Sequence, residues 1–501
     1  MIFYGSSLST NFEVEEKVNI EINISERGLP GFEIYGLINK SIEESKKRII
    51  NSFENIGVVF PLKNVVVNLS PADISKEGTH FDLGIAATLM KYTSLLNYNE
   101  KSTIFLGELS LDGSIKGIKN ILYLVLTARS LGFKEVYVPY GNLDELHCIN
   151  DLKIIGLKSL VDLLKLDTQP ELSSLDINKK FESLPLSFNK IYGNKNNKKI
   201  LAYALSGNHH LLISGFPGSG KSLLSKSAVD LIPDLDSNSA FDVSKIYSYL
   251  GIKRSHEEFL RPPFRSPHNS SSYASIFGGV GKSIIPGEVC IANKGILFLD
   301  EFPEFNRLVI EGLRTPLEDK YITISRSKYK KILKTDFLLI ATMNPCKCGY
   351  FNHHKIECKC SPVEVRRYKN KISGPILDRI DIQINFDGRI ETEEVSVQEI
   401  YSYGEFKDLK EKIEVTKNLL NMDSNELSNK NISFSEINKF TQKNFTDKAV
   451  FTLNSLQEKY SVSNRRYFKI LNLSKTISFF NRREKISEED VLEALYLTGT
   501  K

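Results

Sequence analysis

No run of apolar residues in this 501-residue sequence approaches the roughly 20 needed to cross a bilayer. The stretch MIFYGSSLSTNFEVEEKV also lacks the basic start and unbroken apolar core of a secretory signal. The expectation is a cytoplasmic protein with no membrane partner. Strong net charge is missing too, since 66 Lys and Arg face 61 Asp and Glu for a formal +5. A polyanion would have to be met by a local patch, and composition alone does not make the chain a nucleic-acid binder. Cysteine is scarce and uneven. Of six, Cys148 and Cys290 stand alone and four crowd into CKCGYFNHHKIECKC, which in a reducing compartment points to thiols or a metal and away from a disulfide framework.

What is present is ordinary globular material, 41% hydrophobic and 25% charged, enough for about two to four domains. Up to about residue 166, short β-rich runs (KVNIEINIS, NVVVNLS, STIFLGEL, EVYVPY) alternate with helical patterns (NKSIEESKKRIINSFENI, FDLGIAATLMKYTSLL). That reads as an α/β or α+β domain over 1–166. A polar, proline-punctuated stretch over 167–188 is the expected linker. From 189 to 390 the helix NKNNKKILAYALSG, the strands HLLISG, GILFLD and FLLIATMN and a glycine loop argue for an α/β domain with a parallel sheet and its chemistry at the strand C-termini. Residues 391–501 read as a small helical domain.

GFPGSGKS, the residues Gly215, Phe216, Pro217, Gly218, Ser219, Gly220, Lys221 and Ser222, fits G-x-x-x-x-G-K-[ST] between a strand and a helix. There the backbone N–H groups would wrap a β-phosphate, Lys221 would reach the β and γ oxygens, and Ser222 would hold Mg²⁺. ILFLDEFPEF ends an apolar strand on Asp300, placed to hold Mg²⁺ through water, and on Glu301, placed to polarise an attacking water. Asn344, at the end of LLIATMN, carries an amide that could reach the lytic water or the γ-phosphate. Arg379, in SGPILDRIDI, is either a structural ion pair or a finger for a neighbouring protomer's ATP. The second reading puts ATP at subunit interfaces of a ring. The cysteines Cys346, Cys348, Cys358 and Cys360 form two C-x-C pairs nine residues apart. They would close a structural Zn²⁺ site, with His353 and His354 as substitute ligands, or remain reduced thiols in a loop.

Together these motifs resemble the magnesium-chelatase-like group of AAA+ ATPases, and in particular its ComM/YifB family. The resemblance is carried in order by GLPGFEIYGLINKSIEESKKRI, NLSPADISKEGTHFDLGIA, GFPGSGKS, RPPFRSPHNSSS, PGEVCIANKGILFLDEFPEF, ATMNPCKCGY and SGPILDRIDI, over nearly the whole chain. It implies a Lon-protease-like N-terminal domain, a P-loop AAA+ core with helix-2 and pre-sensor-1 insertions, and a C-terminal helical lid. It also implies Asn344 as sensor 1, Arg379 as the finger, and Arg465 of SVSNRRYF as sensor 2, with Arg466 adjacent. Where a Lon protease has its Ser and Lys dyad, KEGTHFDLG offers Thr79 and His80, and GSIKGIKNILYL offers Leu122; a proteolytic reading fails on those residues.

By the same resemblance, Tyr321 to Lys334 matches a β-hairpin that points into the channel of related rings. Period-2 alternation puts Ile322 and Ile324 on one face, and the cations Arg326, Lys328, Lys330 and Lys331 gather towards the tip. The segment is either a basic surface loop or, in a homo-hexamer, a ring of cations for a phosphodiester backbone. The family implies a motor on single-stranded or branched DNA, acting in recombination or DNA uptake; the other function class open to it is a chelatase-like ATPase that remodels a protein.

Overall fold

A computed structural model describes residues 2–10, 16–27, 29–73, 76–168, 187–191, 194–281, 283–326, 329–386, 398–422, 440–460 and 463–499. Most of the expected 167–188 linker lies outside the described residues, as does Lys328. The end of that stretch does not behave as a tether: Phe188 is fully buried, and the Ser187 and Phe188 amides donate to Asp230 Oδ2 at 2.9 Å.

The first 168 residues build a four-stranded sheet, a three-stranded sheet and a two-stranded pair (Glu108–Leu109 with Ile115–Lys116), with helices packed between and over them. Ile2–Leu8, Lys17–Ser25, Asn64–Ser70 and Gly31–Tyr35 lie side by side in that order, antiparallel except for the last pair. Alternation fixes the buried face: Val18, Ile20, Ile22 and Ile24 point inwards with Val65, Val67 and Leu69, and the residues between them point outwards. Each such burial contributes about 1.5–3 kcal/mol. Helices Lys40–Asn55 and Phe81–Tyr92 cover this face, the first capped by the Asn39 side chain accepting from the Ile42 amide. A three-stranded parallel sheet (Thr103–Phe105, Glu135–Pro139, Lys153–Leu157) completes the unit.

Thr79 hydrogen-bonds the Glu108 carboxylate and Leu122 is buried in the core. His80 is held at 2.8 Å from the Leu8 carbonyl, and burial lowers its pKa to about 4, so it stays neutral.

Beyond this unit lies a sheet of five parallel strands in the order Phe264–Arg265, Ile296–Leu299, Leu338–Met343, Leu211–Gly215 and Ile382–Phe386. The middle strands are apolar on both faces, as expected where helices cover both sides. Helix Ser237–Tyr249 is capped by the Asp236 side chain, which accepts from the Ser239 amide. It docks on the N-terminal unit, where Ser248 Oγ accepts from the Tyr123 amide at 3.0 Å and Arg129 lies over the Phe241 ring. Four described helices, Gln398–Met422, Asp447–Tyr460, Asn464–Phe480 and Glu488–Leu497, follow the sheet. No helix among the described residues is long and apolar enough to cross a membrane.

Candidate nucleotide site

The parallel sheet carries three strand ends to one edge, and the polar residues of the motifs meet there. The loop after Leu211–Gly215 turns into helix Lys221–Leu231 through Gly218 and Gly220, whose φ values of +74° and +98° are open to glycine at little cost. The amides at the start of this helix have no intrahelical partners and form an anion cradle. Lys221 is 8% exposed and folds over that cradle, donating to the Gly215 and Phe216 carbonyls at 2.7 Å each and to Asn344 Oδ1 at 3.2 Å. Burial lowers its pKa, opposed by the charges of Asp300 and Glu301. Ser222 Oγ donates to the Asp300 carboxylate at 2.9 and 3.1 Å, so the alcohol and the carboxylate are already adjacent, as a shared Mg²⁺ shell requires.

Glu301 follows in the left-handed region at φ +52°, a conformation that costs a non-glycine residue of order 1 kcal/mol and is common at functional sites. Its amide donates to Thr342 Oγ1 at 3.1 Å, and its carboxylate accepts from Asn269 Nδ2 at 3.3 Å. Thr342 also hydrogen-bonds Asp300. Neither Thr342 nor Asn269 was singled out from the sequence. Thr342 was nevertheless findable, because it stands two residues before Asn344 on a strand and shares its side.

Lys221, Ser222, Asp300, Glu301 and Asn344 thus form one constellation. Two family profiles match the chain, "Magnesium chelatase, subunit ChlI" over residues 187–395 and "Subunit ChlI of Mg-chelatase" over residues 20–142. Competence protein ComM of Haemophilus influenzae is 32% identical over 489 residues, covering 95% of this chain and 94% of that protein. The chain belongs to the ComM/YifB family of magnesium-chelatase-like ATPases. The uncharacterized protein YifB of Escherichia coli is 33% identical over 377 residues, 73% of this chain and 72% of that protein. A shorter match, 30% over 88 residues, is to DNA repair protein RadA of Streptococcus pneumoniae, 17% of this chain and 20% of that protein. Membership in the ComM/YifB family implies ATPase activity with ATP and Mg²⁺, in an oligomeric assembly.

Two arginines expected to act on phosphate lie elsewhere in this ComM/YifB chain. Ile382 pairs in parallel with Leu211, so Arg379 precedes its strand while Lys221 follows the neighbouring one. The five-residue strand between these ends spans about 16 Å. Arg379 therefore sits at the sheet edge opposite its own phosphate loop, donating to Glu318 and to the Pro375 carbonyl. Arg465 joins it, with Nη2 3.3 Å from the other oxygen of Glu318. Burial opposes ionisation of Glu318, but the Arg379 hydrogen bond and the two guanidinium charges outweigh it and lower its pKa. Arg466 is engaged differently, donating to the Gly499 carbonyl.

The basic segment is a two-stranded antiparallel hairpin, Tyr321–Arg326 with Tyr329–Lys334, in which Arg326 opposes Tyr329. Ile322 and Ile324 are buried, as their alternation implied, together with Leu333. Lys330 is exposed, Lys331 is half-buried, and Lys334 pairs with Asp242 at 2.8 Å. Lys328 and the side chain of Arg326 lie outside the described residues.

The cysteine loop rests on the phosphate loop. The Sγ atoms of Cys346, Cys348, Cys358 and Cys360 all lie within 4.8 Å of one another. The histidines take another part: His353 Nδ1 accepts from the Lys355 and Ile356 amides at 3.1 and 3.0 Å, its ring meets Phe216 edge-on at 4.5 Å, and His354 stacks on it. Among the described residues, only the four cysteines make up the candidate ligand group.

Proposed function

We propose that this chain is an ATP-hydrolysing ring motor acting on single-stranded or branched DNA, as a helicase or branch-migration factor in recombination or DNA uptake. The observation that carries the ATPase half is the convergence of Lys221, Ser222, Asp300, Glu301 and Asn344 on one strand edge. Mg²⁺, which Ser222 and Asp300 would hold, would supply positive charge that offsets the charge of the phosphates. Lys221 and the helix amides hold the phosphates, Ser222 and Asp300 hold the metal, Glu301 takes the proton of the attacking water, and Asn344 orients that water. Phe216, Pro217, Gly218 and Ser219 shape the loop.

The position of Arg379 and Arg465, at the sheet edge away from their own loop, supports action in trans. In a homo-hexamer this edge meets the phosphate loop of the next protomer, and the γ-phosphate replaces Glu318 as the arginines' partner. We divide the chain into a Lon-like, non-proteolytic domain at 1–166, a linker at 167–188, an AAA+ core at 189–390 and a helical lid at 391–501.

The DNA half rests on the hairpin, on the competence protein among the relatives and on the short likeness to a DNA repair protein. Arg326, Lys328, Lys330 and Lys331 at the tip would line the channel of a ring and follow a phosphate backbone. Changing all four to Ala is expected to abolish stimulation of ATPase by single-stranded and forked DNA while leaving the basal rate. A basal rate indifferent to DNA in both proteins, with the ring intact, would shift the reading to remodelling of a protein partner.

A further inference from the structure

The cysteine loop has a built geometry and a specific seat. Sγ of Cys346 lies 3.4 Å from that of Cys348 and 3.7 Å from that of Cys358, and Cys348 and Cys358 are 3.5 Å apart. A disulfide would need about 2.05 Å, whereas four thiolates around Zn²⁺ at about 2.3 Å form a tetrahedron with edges of roughly 3.8 Å. Four soft donors with no open position suit a structural zinc.

One end of the loop is anchored in the core and the other runs into a capped helix. Cys346 is fully buried, two residues beyond Asn344, the residue that accepts from Lys221. Cys360 immediately precedes Ser361, which starts helix Pro362–Lys369 with a capping box to Glu364. Between the two cysteine pairs the chain closes on the phosphate loop. Gly349, at φ +90°, comes so near Pro217 that a Cβ would fall 2.4 Å from its ring, and His353 is fixed edge-on against Phe216.

We propose that Cys346, Cys348, Cys358 and Cys360 bind one Zn²⁺ and that the metal-closed loop braces the phosphate loop, so that metal occupancy sets nucleotide affinity. The inference rests on the phosphate-loop reading above and adds a control to it. Without the metal, four thiols in near contact lose what holds them together. His353 and Gly349 would then no longer pin Phe216 and Pro217, and the loop would have to be ordered at the expense of nucleotide binding.

The test uses the full chain. Elemental analysis after purification without chelator is expected to give one zinc per chain. Removing the metal with a mercurial thiol reagent, then reversing it with excess thiol and zinc, is expected to weaken binding of a fluorescent ADP analogue by about tenfold, equivalent to about 1.4 kcal/mol, and then restore it. His353→Ala provides the second arm, because it keeps the four thiols. It is expected to retain one zinc and still bind the analogue several-fold more weakly. A chain that takes up no zinc overturns the site. A zinc-loaded chain whose nucleotide affinity is unchanged both by metal removal and by His353→Ala overturns the brace. A zinc-loaded chain that binds no nucleotide at all overturns the brace together with the phosphate-loop reading.

Discussion

Glu301→Gln is expected to bind ATP as the wild type does, accumulate as a nucleotide-filled ring and hydrolyse about 10²–10⁴-fold more slowly, the usual worth of a positioned general base. The substitution keeps the size and the Asn269 contact of a side chain held at 3.3 Å, and the backbone at φ +52° is unchanged in its demands. A carboxamide cannot take the proton of the attacking water, so the loss falls on the chemical step. Lys221→Ala provides the contrast. Its ammonium is folded over the cradle against two carbonyls and Asn344, and removing it is expected to abolish nucleotide binding. Single-turnover hydrolysis beside equilibrium binding separates the two. A Glu301→Gln chain that hydrolyses at the wild-type rate would remove Glu301 from the mechanism.

Arg379→Ala is expected to assemble and bind nucleotide yet lose about 10³–10⁵ in turnover, the range for an arginine finger. The stronger form of this prediction uses mixtures. Arg379 and Lys221 stand at opposite edges of the sheet, so a Lys221→Ala subunit still offers its finger to a neighbour, and an Arg379→Ala subunit still offers its phosphate loop. Mixing the two inactive proteins is expected to restore part of the activity at interfaces where the intact halves meet. A purely structural Arg379–Glu318 pair predicts no such recovery, and an Arg379→Ala protein that hydrolyses normally would refute the finger directly.

The elements that carry chemistry were legible because they combine a period with a punctuation mark. KVNIEINIS and NVVVNLS alternate and form paired strands. HLLISG runs into a glycine loop and then a helix, and FLLIATMN supplies the apolar strand expected between two layers. Local signals stopped where tertiary packing decides. Thr342 gains its partners only when its strand lies beside Ile296–Leu299, and Asn269 reaches Glu301 from 32 residues away. The seat of the cysteine loop on Phe216 was equally out of reach, since ligand spacing says what a loop could bind and not what it rests against.

The most direct test of a DNA motor is movement of the DNA. A forked or three-stranded substrate incubated with the protein and ATP, with products resolved by length, is expected to show strand displacement or branch migration. None is expected with Glu301→Gln or with the four-alanine hairpin variant. Full ATP hydrolysis by an intact ring that leaves every branched substrate unchanged would contradict the account.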